Sequence, residues 1–153
     1  MTRAWTPTTD LCDADGRAWV LTPIFRSYGR LQRFCGEIST LRVDGHNPLV
    51  REALHTPGRG RVLVVDGGAR LDCALLGDQL AQAGVAQGWA GVVVNGAVRD
   101  AARLAELCRW GSWHWRPIPG AVANSRRASG MWGCISPGSG CGPATGYVPM
   151  RTV

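Results

Sequence analysis

Two short apolar runs fix most of what this chain can become. Arg61-Val62-Leu63-Val64-Val65-Asp66 and Gly91-Val92-Val93-Val94-Asn95 are rich in β-branched residues and bounded by glycine or polar positions. Runs of this length without polar alternation suit strands covered on both faces. Between them, Leu80 to Gln87 is amphipathic and closes at Gly88, a residue suited to ending a helix. Strand, helix and strand in that order predict a βαβ unit with a parallel strand pair, and hence an α/β fold.

The flanks extend this reading. Leu41 to Val43 lead into Asp44-Gly45-His46-Asn47-Pro48, where Asn47 can cap a helix and Pro48 fits its first position. Leu49 to Leu54 continue that helix, and Thr56-Pro57-Gly58 stops it. Earlier still, Val20-Leu21, Ile24-Phe25, Phe34 and Ile38 are spaced by Gly and Pro and predict short strands and turns.

Composition removes several functions. A chain of 153 residues is normally one domain with a core of its own. No long apolar run predicts a membrane span, and Met1 to Trp5 lacks the pattern of a secretory signal, so a soluble, cytoplasmic protein without a membrane partner is expected. The net charge of +6 invites a nucleic-acid partner, but its distribution argues against one. Twelve Arg and all eleven acids lie up to Leu107, whereas Cys108 to Val153 holds five Arg and no acid. All 17 basic residues are Arg, which excludes a lysine Schiff base; a carbon–carbon lyase built on this chain must use a metal. The six cysteines form no C-x-x-C pair and are expected as free thiols packed like small hydrophobes.

Two polar groups stand at the ends of the predicted elements, where α/β sheets usually bind ligands. In Leu76-Gly77-Asp78-Gln79-Leu80, Gly77 permits a close backbone turn and Asp78 can cap the helix, leaving first-turn N–H groups for a carboxylate. An N-cap with no ligand fits the same residues. In Asn95-Gly96-Ala97-Val98-Arg99-Asp100, the guanidinium can clamp a carboxylate and the acid can hold a divalent cation; a surface ion pair is the alternative. Twenty residues separate Asp78 from Arg99, about what a helix and a buried strand need to bring both to one rim. His46, His55 and His114 lie beside the predicted helix or in the tail and suggest no catalytic role. Gly67-Gly68 and Gly96 read as strand-end turns, since G-x-G-x-x-G is absent.

These residues, with Thr9-Asp10-Leu11-Cys12-Asp13-Ala14, Pro23-Ile24-Phe25-Arg26, Val50 to Leu54, Val62 to Gly68, Ala74 to Asp78 and Gly88 to Val94, closely resemble the RraA-like family. That family includes metal-dependent 4-hydroxy-4-methyl-2-oxoglutarate aldolases, oxaloacetate decarboxylases and the regulator of ribonuclease activity A. The resemblance runs from Thr8 to about Leu107 and includes the Asp-x20-Arg-Asp pattern. It implies a layered β/β/α swivelling-type domain assembled as a homotrimer. It also implies that Gly77, Asp78, Gln79 and Leu80 contact a small 2-oxo acid through backbone groups. Arg99 would bind its carboxylate or keto oxygen, and Asp100 would ligate Mg²⁺ or Mn²⁺. Asp78 is then either a residue that orients water or a cap alone. Some aldolases of the family carry an acid three residues after the metal-binding Asp, where this chain has Arg103, and that departure favours decarboxylation over aldol cleavage. The resemblance also allows a non-catalytic regulator that binds and inhibits an endoribonuclease. A methyltransferase title exists for such chains too, but no Gly-rich S-adenosylmethionine loop follows the first predicted strand.

The tail behaves differently. Residues 108–153 hold four of the seven Trp and three of the six Cys, with no helical or strand periodicity, so the closing strands of the fold are doubtful there. Each codon can be read as the last base of the preceding codon plus the first two of its own. In that frame, Pro143 to Val153 permits P-G-D-R-V-[CR]-A-D-A-D-G, close to the family ending P-G-D-x-x-Y-A-D-x-D-G. Arg109 to Arg127 permits a stretch like L-G-V-x-A-L-G-x-x-P-R-R-S. The expectation is an α/β domain over 1–107 and, over 108–153, a tail that has left its ancestral frame near Glu106 or Leu107.

Overall fold

The computed structural model describes residues 7–16, 19–21, 24–31, 33–106, 111–117 and 134–135. The two apolar runs become β4 (Val62–Asp66) and β6 (Gly91–Val98), paired in parallel from Val62 opposite Gly91 to Asp66 opposite Asn95. Upstream of them lie α1 (Thr8–Ala14), β1 (Trp19–Val20), β2 (Arg26–Ser27), β3 (Ile38–Arg42) and α2 (Pro48–Leu54). Between and after them come β5 (Ala74–Leu76), α3 (Asp78–Ala86), α4 (Ala101–Glu106), β7 (Gly111–Pro117) and β8 (Cys134–Ile135). The main sheet runs β2-β7-β6-β4-β3, with β5 added to β6. Strands β3, β4, β6 and β7 are mutually parallel, and β2 joins β7 antiparallel. A separate two-stranded ribbon pairs β1 with β8.

Alternation along the strands explains the layers. Leu63 and Val65 of β4 and Val92, Val94 and Val98 of β6 share one core cluster with Val50 and Leu54 of α2, Leu80 and Ala81 of α3, and Leu104 of α4. The helices therefore cover one face of the sheet. The alternate residues Val62, Val93 and Ala97 are also buried, which is why the sequence reads as unbroken apolar runs. At the amino ends of these strands, Trp89 donates from Nε1 to the Thr56 carbonyl (3.0 Å) and stacks under the Arg61 guanidinium. Gly58 meets the Trp89 backbone and ring so closely that no side chain fits there.

Several expectations need correcting. Strand β6 runs on to Val98, past its expected end at Asn95, because β5 takes over from β4 along the same edge: Ala74 pairs with Ala97 and Leu76 with Val98. Both β5 and the short helix α1 escaped the sequence reading, being too short to show a period. Within the tail, Gly111–Pro117 forms β7 although no strand pattern was read there; a parallel neighbour recruits backbone groups whatever the side-chain pattern. Cys12 is disulfide-bonded, against the expectation of free thiols, whereas Cys35 and Cys73 are in no disulfide. Among the described residues no helix is long and apolar enough to cross a membrane.

Candidate active site at the carboxyl end of β6

Strand β6 delivers Arg99 and Asp100 as the first two residues beyond its end, and β5 delivers Gly77 beside them. One backbone bond locks the two segments together: the Arg99 N–H donates to the Leu76 carbonyl at 3.0 Å. Leu76 was not singled out by sequence reasoning. Its signal is the three-residue apolar run before Gly77, which resolves only once β5 is seen to pair.

Gly77 is the pivot of the site. A Cβ placed on it would lie 2.9 Å from Arg99 Nε and 3.0 Å from an Asp100 carboxylate oxygen. The missing side chain thus opens the space into which both charged groups project. Gly77 itself is the N-cap of α3, in an extended conformation and without a side-chain cap bond. This corrects the expected cap role of Asp78, which is instead the first residue of the helix. Its Oδ1 accepts the N–H of Gln79 at 2.7 Å. The Ala81 N–H closes the first helical bond, to the Gly77 carbonyl, so the amides of Asp78, Gln79 and Leu80 lie outside intrahelical pairing. Of these residues, the side chain of Leu80 belongs to the core and that of Gln79 is exposed. Leu80 can therefore serve a ligand only through its backbone.

Asp100 adopts φ +57°, a left-handed conformation that costs most residues about 1 kcal/mol and that Asp tolerates better than most. That turn lets the chain leave β6 and enter α4, where the Leu104 N–H bonds the Asp100 carbonyl at 3.0 Å. Arg99 Nε stands 3.4 Å from Asp100 Oδ2, and the two side chains remain 63% and 40% exposed. The pair is loose and its charges are accessible. The expected surface ion pair is thus present, but it is set against a glycine and the open first turn of α3.

The donor set suits a hard divalent cation held sparingly. Among the described residues no three His, Cys, Asp or Glu side chains gather as ligands. A cation here would take the Asp100 carboxylate and complete its shell with water and substrate oxygens, a habit of Mg²⁺. The cradle that Gly77 leaves open gives such a shell room. His46 and His55 lie elsewhere, bonding the carbonyls of Asp44 and Arg51 at exposed positions; His114 is in β7, and its side chain lies outside the described residues.

A family model described as "RraA-like: Aldolase/RraA" matches residues 8–132. A protein of Deinococcus radiodurans, named as a candidate 4-hydroxy-4-methyl-2-oxoglutarate aldolase, is 56% identical over 101 residues, covering 66% of this chain and 63% of that protein. One of the same name from Aromatoleum aromaticum is 54% identical over 101 residues, covering 65% of this chain and 64% of its own. The chain therefore spans less than two thirds of the length of these curated relatives. Among solved structures, the RNA-processing inhibitor RraA from Thermus thermophilis superposes with a TM-score of 0.73 at 41% identity, covering 88% of this chain and 79% of that one. A structure described as an S-adenosylmethionine: 2-dimethylmenaquinone methyltransferase from Geobacillus kaustophilus gives 0.68 at 39% identity, covering 83% and 78%.

Proposed function

This chain belongs to the RraA-like family, and from that premise we propose that it is a divalent-metal-dependent lyase releasing pyruvate from a small anionic 2-oxo acid. The substrates are oxaloacetate, by decarboxylation, and 4-hydroxy-4-methyl-2-oxoglutarate, by aldol cleavage, with the first favoured. The working form is a homotrimer. One observation carries the reading: Arg99 and Asp100 converge on the space opened by Gly77, at the first turn of α3.

Both reactions break the bond between C3 and C4 and push its electron pair toward the 2-oxo oxygen, leaving the enolate of pyruvate. The developing oxyanion must be neutralised. Arg99, more than half exposed and anchored through its backbone to Leu76, would clamp the carboxylate and keto oxygens with its guanidinium. The amides of Asp78 and Leu80, outside intrahelical pairing at the start of α3, offer further donors to the same end of the substrate. Mg²⁺ or Mn²⁺ on Asp100 would add the positive charge that offsets the enolate oxygen. Asp78, with one carboxylate oxygen turned to the Gln79 amide, is a candidate to orient a water molecule through the other.

We also infer that residues 108–153 are read out of their ancestral frame, and that the intact protein closes its domain differently there. Assays should therefore use both the chain as given and a version whose frame is restored after Glu106. Oxaloacetate decarboxylation should require Mg²⁺ or Mn²⁺ and should fall about 10²- to 10³-fold in kcat/KM in Arg99→Ala. Full activity in both Arg99→Ala and Asp100→Ala would sink the assigned roles. A second reading draws on the Thermus structure described as an RNA-processing inhibitor. It predicts saturable binding to an endoribonuclease with no metal-dependent turnover.

A further inference from the structure

Two glycines of the sheet leave room for one leucine, and that leucine belongs to the strand that leads into Gly77. Gly67 stands two residues after Val65, and Gly96 midway between Val94 and Val98, so both positions turn to the face that the helices cover. Leu75 of β5, 1% exposed, fills the space. A Cβ on Gly67 would overlap Leu75 Cδ1, and one on Gly96 would come within 2.9 Å of the same atom. Around Gly96 the next atoms are farther, the Arg70 carbonyl oxygen at 3.6 Å and Leu75 Cγ at 3.7 Å. Gly96 thus lies inside β6, not at a strand-end turn, and its missing side chain is occupied by Leu75.

The seated leucine is also where the ladder slips. Ala74 lies opposite Ala97 and Leu76 opposite Val98, so β5 advances two residues where β6 advances one, and Leu75 is the extra one. Continued without the slip, the pairing from Ala74 would set Leu76 opposite Arg99. With the slip, the Leu76 carbonyl accepts the Arg99 N–H at 3.0 Å and Gly77 comes beside the Arg99 and Asp100 side chains. The difference decides the site, because only a glycine leaves the space into which both charged groups project. A slip interrupts the ladder locally, so packing has to hold the register there.

We propose that Leu75, held between Gly67 and Gly96, is a positioning residue: it fixes the slipped register of β5 and so keeps Gly77 against Arg99 and Asp100 in the geometry that turnover needs. For turnover this rests on the lyase reading above. Leu75 acts through its neighbours in sequence, the Leu76 carbonyl and Gly77. Displacing reacting groups by about 1 Å from a distant position is enough to lower a rate about 10²-fold.

The test uses the full chain with Mg²⁺, the variant Gly96→Ala and the double variant Gly96→Ala/Leu75→Val. The added methyl crowds Leu75 Cδ1, an atom that valine lacks. Amide hydrogen exchange followed by NMR compares the Arg99 N–H, bonded to Leu76, with the amides of β4, a strand paired on both sides. In Gly96→Ala, protection at Arg99 should fall about tenfold further than at β4, and kcat with oxaloacetate should fall about 10²-fold. Both should return in the double variant to within about threefold of the unmodified chain. If Gly96→Ala does not fold, Leu75→Val alone makes the same comparison, with Arg99 again losing more protection than β4, by about threefold. Equal loss at Arg99 and β4, a selective loss that leaves kcat unchanged, or a double variant no better than Gly96→Ala overturns the proposal. If the unmodified chain shows no metal-dependent decarboxylation, the lyase reading fails and the link to turnover falls with it. The exchange pattern alone then decides whether Leu75 sets the register.

Discussion

The carboxyl ends of β4 and β6 are built alike and do opposite things with their charges. Each ends in a turn that places acids and arginines together beside a glycine. At β4, Asp66 Oδ1 accepts from the Gly68 amide and from Asn95 Nδ2, both at 3.0 Å. Arg70 then bonds Asp72 through Nε (3.0 Å) and Asp44 through an η-nitrogen (2.9 Å), which ties the β4–β5 loop to the β3–α2 loop. Its charges are spent within the fold. At β6, among the described residues, Arg99 and Asp100 share a single loose 3.4 Å contact, with Arg99 63% and Asp100 40% exposed. The difference teaches where to look for chemistry: charge clusters mark a site when the fold leaves them unspent.

The strongest way to break the comparison is to remove the strain and the acid together. Asp100→Gly frees a left-handed position while deleting the proposed metal ligand. Metal-dependent turnover should fall about 10²- to 10³-fold. The melting temperature should hold or rise, since glycine relieves about 1 kcal/mol at such a position. A large drop in melting temperature would mean that Asp100 is structural. At β4 the converse is expected. Asp66→Ala leaves Asn95 Nδ2 and the Gly68 amide without their acceptor, and Asn95 Oδ1 is already buried with no partner. Denaturant titration should show a loss of about 2 kcal/mol, with kcat per folded molecule unchanged.

The sequence revealed these two ends unequally, for physical reasons. The βαβ frame was legible because strands buried on both faces must be apolar throughout, as in Val62 to Val65 and Val92 to Val94. Asn47 before Pro48 announced α2 correctly, although the Asn47 side chain makes no cap bond. Strand β5 was hidden because three residues carry no period, and with it went the reason that Gly77 lies beside Arg99. Asp78 was misread as a cap because an extended glycine can hold that position without a side chain. The left-handed turn at Asp100 has no signature beyond the tolerance of Asp for it. Gly77, Asp78, Arg99 and Asp100 were legible together through the spacing that brings Asp78 and Arg99 to one rim and through the resemblance, as either group alone also reads as an ordinary cap or ion pair.

A smaller effect sharpens the β4 side. Gly68 and Ala69 both have positive φ, +62° and +60°, in the turn that leaves Asp66. Glycine accepts this freely, whereas alanine crowds its own carbonyl. Ala69→Gly should therefore stabilise the chain by about 0.5–1 kcal/mol in the same titration, with no change in turnover. A loss of stability would mean that unfolded-chain entropy outweighs the turn strain.

The smallest effect comes from the Arg70 network and depends on pH. Hydrogen bonds from the Arg70 guanidinium, followed by a backbone bond and the charge attraction, hold the Asp72 carboxyl at about 2, below its usual 3.8. A depressed acid stabilises the folded state fully above its unfolded value, and the stabilisation is lost as pH falls through the folded value. The window for Asp72 thus runs from 3.8 down to about 2. Both groups are exposed, so the contribution is modest and weakens with added salt. The melting-temperature gap between the unmodified chain and Asp72→Asn should be constant from neutral pH to about pH 4 and should close toward pH 2. A gap that persists at pH 2 would mean that Asp72 acts by turn geometry rather than by charge, and the β4 end would then be a closed loop rather than a closed circuit of ions.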